Sequence, residues 1–257
     1  MTVPLNALFG FFMVLTRLTG LFLVAPIFSN IVISIRIKAA LIIALSAFLT
    51  SVQPHLDLPP LTMSAAVPGV ISEVLTGVLL GFGFRMAMAA ASIAGEIVGL
   101  NMGIGMARLL DPNSGLSAAM IQTFYGMLFT IIFLMLDGHH HLLRILNDSF
   151  ATVPPGKGLS TASILPLLVS ESSAMMGLGV RLAAPVLLPL FLLTTAIALI
   201  SRAFPQANII TFAYGASAVV GMILIALSLP GLYEAFQESL RGADRFAFRV
   251  IQALSGA

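Results

Sequence analysis

The sequence predicts an all-α, polytopic membrane protein of kinked helical hairpins, and three observations carry that reading. The first is composition. Of 257 residues, 59% are hydrophobic and 9% charged, and the mean hydropathy is +1.07. Soluble domains run near 45–50% apolar and about 25% charged. With 12 basic and 10 acidic residues, a compact soluble monomer of this size would expose roughly 11,000 Å² and carry about one charge per 500 Å². Its apolar patches would exceed what soluble monomers tolerate. The second observation is that apolar runs recur with short polar breaks. Residues 116–136 hold no charge, which is enough to cross a bilayer of about 30 Å. The third is physical: backbone groups in hydrocarbon must be satisfied within their own segment, so these runs are expected to be helices.

Taken in order, the first run covers residues 5–28 and contains Arg17. No basic segment precedes it, so it is not expected to be a cleaved signal peptide. Residues 31–52 follow, with Arg36 and Lys38 near the start, and then a proline-rich break at 53–60. Residues 61–110 form a long run whose charges are Glu73, Arg85, Glu96 and Arg108. Asp111-Pro112-Asn113-Ser114-Gly115 is a turn signal, and Pro112 biases the residue before it away from the helical region. After 116–136 comes the most polar interior stretch, 137–157. Residues 159–180 carry Glu171, 182–201 carry no charge, and 203–233 carry none either. About five to seven helices at membrane depth are expected, with Pro166, Pro185, Pro189 and Pro205 kinking or breaking them.

The last segment, 234–257, is amphipathic. Glu234, Glu238, Arg241, Asp244, Arg245 and Arg249 share one helical face, interrupted by Phe248. Phe236, Leu240, Ala243, Ala247, Val250, Ile251 and Leu254 share the opposite one. Such a helix is expected to lie on a membrane or a partner surface. No clean domain boundary or internal repeat appears, so 1–257 reads as a single integral-membrane domain.

Glu73, Arg85 and Glu96 are candidate buried charges or subunit contacts, because each is costly in an apolar run unless paired or wetted. Arg85 and Glu96 share a helix face about 16 Å apart along the axis, too far to pair with each other. Gly95, Gly99 and Gly103 recur every four residues, and Gly77 and Gly81 repeat the spacing. That is a candidate helix-packing ridge. The loop after it reads either as an ordinary hairpin at the membrane edge or as something more specific.

No catalytic residue is expected. The chain has no cysteine, which excludes disulfides, thiolate nucleophiles and Cys-ligated metals. His139-His140-His141 is not expected to bind metal, since adjacent residues on a helix point about 100° apart. Gly156-Lys157-Gly158 lacks the spacing of a phosphate-binding loop. The net charge is +2, without a basic run, so nucleic acid is not an expected partner.

Several dispersed stretches resemble a known family. They are Arg17-Leu18 with Ala25-Pro26-Ile27-Phe28-Ser29 and Arg36-Ile37-Lys38; Gly95-Glu96-Ile97-Val98-Gly99-Leu100-Asn101-Met102-Gly103; Leu136-Asp137-Gly138-His139 with Leu143-Arg144, Ser149-Phe150 and Pro154-Pro155-Gly156; and Arg202 with Pro205-Gln206 and Asn208. Together they resemble the FliR family of flagellar type III secretion export-gate proteins. Ala207 and Ile209 depart from residues common in that family.

The resemblance implies a subunit of a hetero-oligomeric helical pore formed with FliP and FliQ and associated with FlhB, in the bacterial inner (cytoplasmic) membrane at the flagellar basal body. Unfolded flagellar proteins would be its substrates, and no cofactor is implied. It also implies a pore plug at Met106, Ala107, Arg108, Leu109, Leu110, Asp111, Pro112, Asn113, Ser114 and Gly115, and subunit contacts around Glu96. The competing reading is a secondary transporter of a small solute using Glu73, Arg85 and Glu96. Transporters often show two related halves with matched broken helices, and this sequence shows none.

Overall fold

The computed structural model describes residues 5–29, 33–52, 63–104, 119–156, 161–203 and 209–255. Among these the only regular secondary structure is helical, in seven helices: α1 Leu5–Val24, α2 Ile35–Val52, α3 Met63–Asn101, α4 Ala119–Met135, α5 Gly138–Thr152, α6 Thr161–Ala203 and α7 Ile209–Ser255. Four helices are long and apolar enough to cross a membrane, or five if the broken pair α4 and α5 makes one span. The chain is an all-α polytopic membrane protein. Among the described residues its span count, four or five, is lower than expected because α4 is interrupted at residues 136–137 and the runs on either side of Arg181 form one helix.

Three boundaries differ from what the residues suggested. The polar stretch 137–157 is not a break but contains α5. Its buried side chains, Leu142, Ile145, Leu146, Ser149 and Phe150, fall at helical spacing, and a sparse apolar stripe of that kind is enough to hold a short helix against a core. The runs on either side of Arg181 are one helix, α6, which continues through Pro166, Pro185 and Pro189. Each proline removes one donor, and helices at membrane depth absorb that loss through neighbouring groups and local adjustment. Pro205 lies outside the described residues. Residues 234–255 are the end of α7, which runs through Pro230 from Ile209.

The described residues fall into two compact units, one within 1–86, 134–172 and 240–257, the other within 87–133 and 173–239. In the first, α1 buries Met13, Val14, Leu18, Leu21 and Phe22, α3 buries Leu80 and Phe84, and the end of α7 buries Ala243, Phe246, Ala247, Val250, Ile251 and Leu254. The polar residues Arg241, Arg245 and Arg249 are exposed there, and so is Phe248. In the second unit, Ala90, Ala91, Ala94 and Val98 of α3 share a core with Tyr125, Phe129 and Phe133 of α4, Leu182 and Val186 of α6, and Ile225 and Phe236 of α7. Phe129 meets Phe236 edge to face at 4.6 Å between centroids, the favoured aromatic geometry.

Candidate functional site

The most polar place in the interior lies in the first unit, where α1, α3, α5 and the turn after α5 meet. Arg17 on α1 is 0% exposed and Glu73 on α3 is 1% exposed. Their contact is bidentate: Arg17 Nε donates to Glu73 Oε2 at 2.6 Å and Nη2 donates to Oε1 at 3.0 Å. Nη1 donates to Ser149 Oγ at 3.0 Å, and Nη2 also donates to the Val153 carbonyl at 3.0 Å. The Gly156 amide donates to Glu73 Oε1 at 2.9 Å. Phe150 offers its ring face to the guanidinium at 4.2 Å, a cation–π contact. Charge, hydrogen bonds and planarity are thus satisfied together, the condition under which a buried ion pair is tolerated.

Local sequence explains each part. Arg17 is the lone charge of α1 and Glu73 the first charge of α3. Ser149 also donates to its own helix at Leu146 O, 2.6 Å away, which fixes the hydroxyl so that its lone pairs face Arg17. Gly156 has φ +80°, a turn conformation that glycine adopts freely, and this turns its amide onto Glu73.

Tight backbone crossings surround the clamp. A Cβ on Gly20 would collide with the Val74 carbonyl, and one on Gly77 with the Arg17 carbonyl. Glycine at both positions therefore lets α1 and α3 touch backbone to backbone one turn from the ion pair. In the second unit, Gly95 is buried against α4, where a Cβ would lie 2.7 Å from Gln122 Cα. Gly99 is buried as well. Gly103 stands beyond the end of α3 with φ +73° and packs under Tyr214. Its amide donates to Leu100 O at 3.1 Å, and that of Met102 donates to Val98 O at 2.9 Å. Gly103 is thus a left-handed residue just past the helix end.

The three charges singled out in the sequence have different surroundings. Glu73 is buried and engaged by Arg17 and the Gly156 amide. Arg85 is exposed and donates from Nη1 to Ser29 Oγ at 3.3 Å, on the turn where Ile27 takes φ +69°. Glu96 is exposed and has no hydrogen bond or ion pair among the described residues. Residues Met106 to Gly115 lie outside the described residues.

In the sequence Arg17 interrupts an apolar run, and Arg17, Ser149 and Gly156 each stand in stretches that resemble the family, but nothing there marks them as partners of one another. The signal available was the coincidence of one lone Arg and one lone Glu in separate apolar helices, each too costly to stand alone.

The sequence matches known proteins over most of its length. The family model for bacterial export proteins, family 1, matches residues 8–243. A flagellar biosynthetic protein FliR of Escherichia coli (strain K12) is 32% identical over 221 residues, covering 86% of this chain and 84% of that protein. FliR of Pectobacterium carotovorum subsp. carotovorum is 30% identical over 230 residues, covering 90% and 87%. FliR of Bacillus subtilis (strain 168) is 25% identical over 230 residues, covering 87% of each chain. The chain belongs to the bacterial export proteins, family 1, the family of the FliR flagellar biosynthetic proteins.

Proposed function

We propose that this chain is a non-enzymatic subunit of the flagellar type III export gate, and that residues 1–257 act as one export-gate subunit. It forms with FliP and FliQ a pore in the bacterial inner membrane at the flagellar basal body, FlhB associates with that pore, and unfolded flagellar proteins pass through it. Family membership supports export. The observation that supports an assembled pore is the length of α6. Its apolar span, Ile164–Arg202, has 39 residues, of which only Ile164, Gly179, Leu182, Ala183, Val186 and Leu190 are buried. At 1.5 Å per residue it measures about 58 Å, close to twice the hydrocarbon thickness of about 30 Å. Lipid covers half of such a surface, and other protein subunits are the natural cover for the rest.

The glycine crossings fit the same reading, since close backbone packing is how helices associate where lipid and protein are equally apolar. Gly95, Gly99 and Gly103 lie on or just after α3, immediately before residues 106–115, the proposed plug. Exposed Glu96 is a contact for a neighbouring subunit.

The test is co-expression with FliP and FliQ followed by purification and mass measurement. A stable hetero-oligomer containing this chain is expected. A chain that stays stable and exclusively monomeric in their presence would sink the proposal. Removing Arg108–Ser114 from the assembled gate is expected to raise its leak to small ions, and an unchanged leak would show that this loop is no plug.

A further inference from the structure

We propose that Asp137, His139 and His140, at the start of α5, form a binding site for a divalent transition-metal ion of the zinc class. The carboxylate and the two imidazoles each offer one ligand atom, and these atoms lie within 4.8 Å of one another. The Asp137 Oδ1 to His140 Nδ1 separation is 3.2 Å. Ligands held about 2.0–2.1 Å from a tetrahedral ion are separated from each other by about 3.3 Å, so this edge already has the required length.

The backbone explains how neighbouring residues converge when three histidines in a row cannot. His139 and His140 both lie in the first turn of α5, with ring centroids 4.2 Å apart. Asp137 precedes that turn with φ +53° and makes no side-chain capping hydrogen bond to it. A residue in this position ordinarily caps the free amides of the helix. Here the left-handed backbone brings the carboxylate to His140 instead. His141, the third histidine, points elsewhere: its Nδ1 pairs with Asp244 Oδ2 at 3.0 Å.

The second observation is His139 Nδ1, which is buried and has no hydrogen-bond partner among the described residues. A buried imidazole nitrogen without a partner carries a desolvation cost, and a metal ion bound at this nitrogen would supply the missing partner. Neutral imidazole is the ligating form of histidine, and the positive end of α5 lies beside the site. Its field opposes the ion, so the Asp137 carboxylate is indispensable and the affinity is modest. Two nitrogens and one oxygen suit zinc, cobalt or nickel better than calcium or magnesium. Three protein ligands leave one position for water or for a donor from another subunit.

The experiment uses the full chain without a polyhistidine tag, titrated with Co2+ and read by visible absorption, with Zn2+ as competitor. One Co2+ per chain is expected, displaced by Zn2+. Asp137→Asn, which keeps a residue tolerant of the left-handed conformation, and His139→Gln should each weaken binding by about tenfold or more, the scale on which losing even an outer partner of a metal ligand costs affinity. His141→Gln should bind as the parent does. A second readout needs no variant: Zn2+ should protect His139 and His140, but not His141, from acylation by diethyl pyrocarbonate. Absence of Co2+ binding by the parent chain, full binding by the Asp137 and His139 variants, or equal protection of all three histidines would overturn the site.

Discussion

Arg17 and Glu73 are held so completely that each depends on the other's presence. Arg17→Ala would leave a carboxylate buried with only the Gly156 amide to satisfy it. Breaking a buried pair on one side costs about 3–5 kcal/mol. The expected result is a large fall in the melting temperature of the purified protein and in its level in the membrane. Arg17→Lys should fall between the parent and Arg17→Ala, because an ammonium cannot reproduce the fork that engages Glu73, Ser149 and Val153 at once. The paired change Arg17→Met with Glu73→Leu removes both charges and keeps volume, and such replacements are often near neutral or stabilising. If the double variant melts as low as Arg17→Ala, the clamp does more than neutralise charge. These two residues also mark how far the sequence could be read at this scale. The cost of a lone charge in an apolar helix was legible at each position. Their partnership was not, because they stand 56 positions apart and nothing in either local pattern indicates which helices become neighbours.

Among the helices, the decisive contacts are those with no side chain. Gly20 and Gly77 bring α1 and α3 together so closely that a methyl group meets a carbonyl. Gly77→Ala should therefore destabilise well beyond the roughly 0.5–1 kcal/mol by which alanine ordinarily improves on glycine within a helix. By contrast, a Cβ on Gly177 in α6 meets nothing within 4 Å. Gly177→Ala should leave the melting temperature of the isolated chain unchanged or raise it by that ordinary increment. Gly103→Ala combines a left-handed backbone with a collision against Tyr214, and the backbone alone costs roughly 1–2 kcal/mol. Thermal melts of the three variants would give the order Gly177, then Gly103 and Gly77, with the last two both below the parent. An unperturbed Gly77→Ala would mean that α1 and α3 are not in contact there. The glycine spacing around 95–103 and the existence of long apolar helices were visible in the sequence. The helix at 138–152 was not, because its charged and histidine residues outweigh an apolar stripe of a few positions. Nor was the continuity of α6, since Arg181 and three prolines resemble punctuation until neighbouring structure carries the helix through them.

For the molecule as a whole, the question is what covers its apolar surface, and the absence of cysteine makes that measurable. Val169 is 64% exposed near the beginning of α6 and Leu199 is 67% exposed near its end. The apolar span between Ile164 and Arg202 has 39 residues, about 58 Å of helix against about 30 Å of hydrocarbon. Tilting cannot reconcile the two, because transmembrane helices tilt by about 20° on average and rarely beyond 40°. In the chain alone, at least one of these positions must reach water. Single-cysteine variants Val169→Cys and Leu199→Cys, reconstituted in vesicles, should therefore differ in reactivity toward a membrane-impermeant maleimide, or both should react. After co-assembly with FliP and FliQ, the reactive position should become protected, because protein now stands where water stood. Equal reactivity with and without the partners would mean that the exposed length of α6 is not a subunit interface. Protection of both positions in the isolated chain would mean that α6 lies within the bilayer in some broken form. The first outcome would remove the structural support for a multi-subunit pore, although family membership would stand.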